Sequence, residues 1–209
     1  MNSSLLQIFR SAVFAGVCIA LAGYGFLAGK TVGMFLFVFG LATVVKYRLK
    51  LFTGTAGFVR NGREVAELVV ILVGNWVGCL LVALIARCSP LPLQETAQTL
   101  LEGRLSTGWW KAGVLSIGCG ILMTTAVTFA RKGNEIGNWI PLLFAVPLFI
   151  HCGFPHCIAD AFYYLTVPTD FWTANMGSIL LLYSMLVVGN FIGCNLYRVI
   201  VCFHEEKEV

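Results

Sequence analysis

Two apolar stretches of this chain are long enough to cross a bilayer, yet each is broken near its middle. The first runs TVGMFLFVFGLATVV from position 31, meets KYRLK at 46–50 and resumes as LFTGTAGFV. The second runs IPLLFAVPLFI from 140, meets HCGFPHC and resumes as IADAFYYL. In hydrocarbon a freed backbone N–H or C=O finds no water. A break therefore survives only where protein buries it or where it lines a cavity. Two interrupted segments at corresponding places in two halves point to a transport site.

The rest of the chain agrees with a lipid solvent. It has 209 residues, 58% hydrophobic and 11% charged, with mean hydropathy +0.86. A soluble domain carries about 25% charged residues. A crossing needs about 20 apolar residues, and the runs predict six, at roughly 10–29, 31–59, 65–87, 109–130, 138–165 and 177–203. The apolar runs recur to the C-terminus instead of ending at a small-residue cleavage site, so no secretory signal is expected. The net charge of +4 is scattered between the runs, which argues against nucleic acid as a partner. The eight cysteines show no disulfide-framework spacing and read as small buried hydrophobes.

A weak internal repeat links the third and sixth runs. GNWVGC at 74–79 matches GNFIGC at 189–194 in Gly-Asn, aromatic, β-branched residue, Gly and Cys. The predicted fold is thus all-α, with two three-helix repeats at about 10–87 and 109–203. An odd number of crossings per repeat inverts one against the other. The GxxxG spacings suit close helix packing. Basic residues Arg10, Arg60, Arg63, Arg131, Lys132, Arg198 and Lys207 would flank one side, against Lys30, Arg87 and Arg104 on the other. That bias sets both termini in the cytoplasm, and the polar tail HEEKEV is expected to fray.

His156 and Asp160 are the ionisable pair inside the second break. Their spacing of four puts them on one helix face if helix resumes after Pro155, with Pro155 as an early residue of that new helix. Such a half-helix start presents free N–H groups, which suit an anion. Ionisable residues at membrane depth mark function by default. His151, Cys152, His156, Cys157 and Asp160 carry donor atoms, but their spacing matches no closed zinc pattern, so neither metal nor cofactor is expected. Lys46, Arg48 and Lys50 stand beside the first break. They either face a pore mouth and concentrate anions or snorkel to headgroups. No nucleophile–base pair or phosphate loop suggests an enzyme.

LFTGT at 51–55, GNWVG at 74–78, GFPHCIAD at 153–160 and GNFIGC at 189–194, in that order, resemble the formate/nitrite transporter family over about residues 10–200. The resemblance implies a homopentamer of six-span protomers with an aquaporin-like fold, each with its own pore. It implies small monovalent weak-acid anions as substrates, moving with protons through a bilayer; the lack of a targeting segment and the positive-inside bias favour a prokaryotic inner membrane. By motif, Phe37 and Leu41 match an outer constriction, and Leu51 and Phe149 an inner one. Thr53 matches a loop threonine, His156 a central histidine, and Arg104 a vestibule lysine. Pro155 stands where the family has glutamate, Asp160 where it has asparagine, Gly120 where it has a fourth-span asparagine. KYRLK replaces a small apolar stretch.

The expected mechanism is that cationic vestibules gather the anion, burial favours its neutral, protonated form, and the proton comes from water or through His156, which makes transport pH-dependent. A His156–Asp160 ion pair is expected to hold the histidine charged. Two other readings remain open from the residues: a channel for a neutral solute, and a scaffold or sensor whose pore is closed.

Overall fold

The computed structural model of the protein describes residues 4–132 and 135–205, without the side chains of 197, 198 and 201–205. Lys207, the side chain of Arg198 and the tail 206–209, used in the orientation argument, lie outside them.

Helix α1 covers Leu5–Lys46 and starts with a reciprocal cap. Ser4 Oγ accepts from Gln7 N–H, and the Gln7 side chain accepts from Ser4 N–H, which satisfies two of the free donors of a helix start. At 42 residues it is about twice the length of one crossing. The helical run fails at Gly29 (φ −155, ψ 51), and the two arms fold back on each other. Glycine permits that contact: a Cβ at Gly40 would come within 2.6 Å of Cys18 O and 2.7 Å of Ala22 Cβ. The first predicted crossing and the first half of the second are therefore one hairpin.

The second half of that crossing is the short helix α2, Phe52–Thr55, and a 3-10 turn, Ala56–Phe58. Helix α3 is Gly62–Ala86, capped by Asn61. Helix α4, Leu93–Thr107, was not foreseen. It is polar, and no long apolar run announces it. Leu93, Ala97 and Leu101 recur every four residues and are buried, which gives a narrow apolar stripe. Helix α5 is Trp109–Arg131. The fifth crossing is split as its break predicted, into α6, Ile136–His151, and α7, Cys157–Thr166. Helix α8 is Thr169–Glu205.

Among the described residues four helices are long and apolar enough to cross alone, namely α1, α3, α5 and the Thr169–Leu196 part of α8. The short pieces α2 and α7 are mostly buried among them, whereas α6 keeps one face outward. The closest helix pairs are α1 with α3 and α5 with α8. Gly78 lies on the backbone of Val13 and Gly193 on that of Ile117. Gly120 lies against the backbone of Asn190 and Cys194 with no room for a side chain, which accounts for glycine where the family resemblance expects asparagine. The outer faces keep Phe39, Val69, Leu84, Phe144 and Ile200 exposed, as lipid contact requires.

Candidate functional site

The two breaks are built alike. Helix α1 ends with Tyr47 N–H donating to Thr43 O (3.0 Å) and Leu49 N–H to Val44 O (2.9 Å). Helix α6 ends with Cys152 N–H donating to Leu148 O (2.9 Å) and Phe154 N–H to Phe149 O (2.9 Å). Each is a Schellman-type stop, which needs one left-handed residue. Gly153 supplies it in the second break (φ 69) and Arg48 in the first (φ 53). The chain then turns back to Leu51 and His156, the N-caps of α2 and α7.

Backbone groups freed at these turns need partners, and two asparagines supply them. Asn75 Nδ2 donates to Lys50 O (3.0 Å) and Ala12 O (2.8 Å), and its Oδ1 accepts from Phe52 N–H (2.9 Å). Asn190 Nδ2 donates to Pro155 O (3.0 Å) and Ser116 O (2.7 Å), and its Oδ1 accepts from Cys157 N–H (2.8 Å). Two thiols then cross between the halves. Cys79 Sγ donates to Ile158 O and Cys194 Sγ to Thr53 O, both at 3.4 Å. The sequence reading missed the asparagines as functional groups. The signal was an amide inside each apolar Gly-Asn motif, which is costly in lipid unless it is bonded.

His156 is an N-cap with extended backbone (φ −109, ψ 111), and its Nδ1 accepts from Ala159 N–H at 3.2 Å. The neutral ring therefore carries its proton on Nε2. That atom lies 2.9 Å from Thr53 Oγ1, so it donates to the hydroxyl. The Thr53–His156 bond ties α2 to the start of α7, and both side chains are buried, at 1% and 2% exposure. Pro155 stands one residue before the cap instead of inside the new helix.

Asp160 does not pair with the imidazole, contrary to the sequence expectation. Its Oδ2 accepts from His156 backbone N–H (3.0 Å), and its Oδ1 faces Arg104 Nε (3.3 Å). A spacing of four shares a face only within a regular helix, and the extended cap conformation of His156 turns its ring away. Arg104 arrives on α4 and also donates from Nη1 to Gly153 O, clamping the turn to α7. Burial by itself would lower the Arg104 pKa, but the Asp160 carboxylate holds it above its ordinary value.

Phe149 packs edge-on to Phe37 (5.9 Å between centroids) and tilted to the His156 ring (5.7 Å). With Lys30, Arg104, Phe154, His156 and Asp160 it lines a cavity of about 350 Å³. Phe149, matched by motif to the constriction of Leu51, thus meets Phe37 of the other one. Phe149 stands with Phe37, on the side of Arg104. Leu41 and Leu51 are buried, at 1% and 0% exposure, and they line neither this cavity nor the next. Lys46, Arg48 and Lys50 line a second cavity of about 840 Å³ on the other side of α2. The site is thus a buried His–Thr pair between two water-accessible hollows that carry cations.

A sequence model described as formate/nitrite transporter matches residues 1–204. A formate channel of Haemophilus influenzae is 26% identical over 197 residues, which is 81% of this chain and 68% of that protein. Among solved structures, a pentameric formate channel with formate bound matches with TM-score 0.81 at 21% identity, over 97% of this chain and 98% of its own. An ion channel of the same family matches with TM-score 0.80 at 17% identity, over 96% and 89%.

Proposed function

The chain belongs to the formate/nitrite transporter family, and on that premise we propose that it conducts small monovalent anions of weak acids. Formate leads the candidates, because the Haemophilus influenzae relative is a formate channel. Nitrite, hydrosulfide, acetate and lactate share its chemistry. The observation that carries the reading is the buried Thr53–His156 pair between two cationic hollows.

A bare anion pays heavily to leave water, whereas a neutral acid does not. Lys30 on one side and Lys46, Arg48 and Lys50 on the other gather the anion. As it meets Phe37, Phe149, Leu41 and Leu51 the dielectric falls and its acid form gains. His156 acts as a fixed hydrogen-bond donor in this account. Its Nδ1 is taken by Ala159 N–H, so it offers only Nε2–H, to Thr53. The Thr53 hydroxyl hydrogen is then free to meet a substrate oxygen. The proton that neutralises the substrate comes from vestibule water, and transport is proton-coupled through the substrate itself.

In the assembly this reading assumes, five protomers form the unit, as in the solved pentameric formate channel. The repeats are about 10–87 and 109–203, both termini face the cytoplasm, and the membrane is a prokaryotic inner membrane. The test is stopped-flow uptake into vesicles of the purified protein, comparing formate with glycerol and urea. Formate uptake well above that of protein-free vesicles, with glycerol and urea at background, is expected. Rapid glycerol or urea uptake with no formate uptake would make it a neutral-solute channel.

A further inference from the structure

The cavity beyond the first break is more than twice as large as the one at His156, about 840 against about 350 Å³. It is also far more cationic. Lys46, Arg48, Lys50, Arg60 and Arg131 line it, against Glu64 and Glu67. Both carboxylates have partners, and five cations against two carboxylates leave the lining positive. Glu67 pairs with Arg63 (3.4 Å), and Glu64 accepts from Arg60 backbone N–H (2.6 Å) and Asn61 Nδ2 (3.2 Å). Among the described residues none of the five cationic side chains forms an ion pair.

Arg48 makes the arrangement more than a charged rim. It holds a left-handed conformation (φ 53) at the turn position that the other break gives to Gly153 (φ 69). Only glycine takes such a backbone without strain, and strain kept in a fold points to a role for the residue that bears it. Arg131 is also set in place. Its Nη2 donates to Gly54 O (3.1 Å), and its guanidinium lies 4.9 Å from the Phe58 ring centroid.

We propose that this cavity, at the mouth of the monovalent substrate's path, is also a binding site for a phosphate dianion. Three physical points favour that ligand. The potential acts in proportion to charge, so it concentrates a dianion by the square of the factor for a monoanion. Arginine forks match phosphate oxygens in paired hydrogen bonds. The cost of leaving water rises as the square of the charge, so a dianion that fills the hollow stops at Leu51 and Leu41. Occupancy then obstructs the mouth of the path. The obstruction rests on the transport reading; the binding does not. The phosphate can be a free ion or the headgroup of a phosphomonoester lipid.

The test measures binding of radiolabelled inorganic phosphate to the purified full-length protein at constant ionic strength. Saturable binding is expected, roughly tenfold weaker in Arg48→Gly and in Lys50→Gln, and unchanged in Lys111→Gln, an exposed cation of α5 outside the cavity. Arg48→Gly is the informative variant, because glycine suits the turn and the fold persists. Displacement by vesicles containing phosphatidic acid, but not phosphatidylcholine alone, identifies the headgroup as the source. No displacement identifies the free ion. Chloride that competes as well as phosphate, absence of saturable binding, or full affinity in Arg48→Gly would each overturn the site. Phosphate that binds yet leaves formate flux untouched would overturn the obstruction alone.

Discussion

Replacing Asn190 with alanine removes the group that completes the second break. The side chain is fully buried and serves three backbone atoms. Ser116 lies inside α5, so its carbonyl also has a helical partner to fall back on. Cys157 N–H is at the first turn of α7 and Pro155 O lies in the turn, and both lose their bond to the amide. Each buried orphan costs about 1–3 kcal/mol, so the loss is about 2–6 kcal/mol. Asn195→Ala is the internal control. Asn195 is half-buried and donates to Ala56 O (3.2 Å) and Phe191 O (2.8 Å), and a partly wet site limits the cost to about 1 kcal/mol. The assay is denaturant unfolding in mixed micelles, extrapolated linearly. A loss in Asn190→Ala no larger than in Asn195→Ala would refute the claim that the asparagine carries the break. Formate flux should fall with it, because the amide fixes the two residues flanking His156.

Arg48→Gly relieves a left-handed side chain and should stabilise the protein by about 1 kcal/mol, a rise in melting temperature of about 2–4 °C for a chain of this size; a fall would mean that Arg48 is not strained. Gly78→Leu drives a side chain into the Val13 backbone and should abolish folded protein on gel filtration, whereas Gly137→Ala meets nothing within 4 Å and should be tolerated. Asp160→Asn keeps an acceptor for His156 N–H but leaves Arg104 without its anion. The Arg104 side chain is 20% exposed, so water softens the change to about 1–3 kcal/mol. Half-saturation for formate should fall several-fold as the cavity gains positive charge, and an unchanged value would separate Arg104 from anion capture.

Most of the fold was legible because apolar length and its interruptions are written directly into the residues. KYRLK and HCGFPHC marked the breaks that separate α1 from α2 and α6 from α7. What the sequence hid were matters of partner and direction. Helix α4 is polar and carries no crossing signal, so Arg104 could be aligned but not brought to Asp160. The spacing of His156 and Asp160 suggested a shared face, but spacing decides contact only inside a regular helix, and His156 is a cap. Phe149 was matched by motif to the constriction of Leu51, and a motif match does not record which ring a side chain meets; it packs on Phe37. The likeness of GNWVGC and GNFIGC was visible, but what the two asparagines bond became visible only once both turns were in place.

The central claim is that weak-acid anions pass the Thr53–His156 pair. It is tested most directly by formate flux into vesicles at about pH 5.5 and about pH 7.5, a span that changes the neutral fraction of a weak acid about a hundredfold, with His156→Asn measured alongside. Asparagine can still cap α7, so the variant keeps the fold while losing the reach to Thr53. The account predicts wild-type flux that rises toward the lower pH and falls at least roughly tenfold in His156→Asn at both, the loss of one charge-free donor at a desolvated site. Equal flux in the two proteins across both pH values would contradict it.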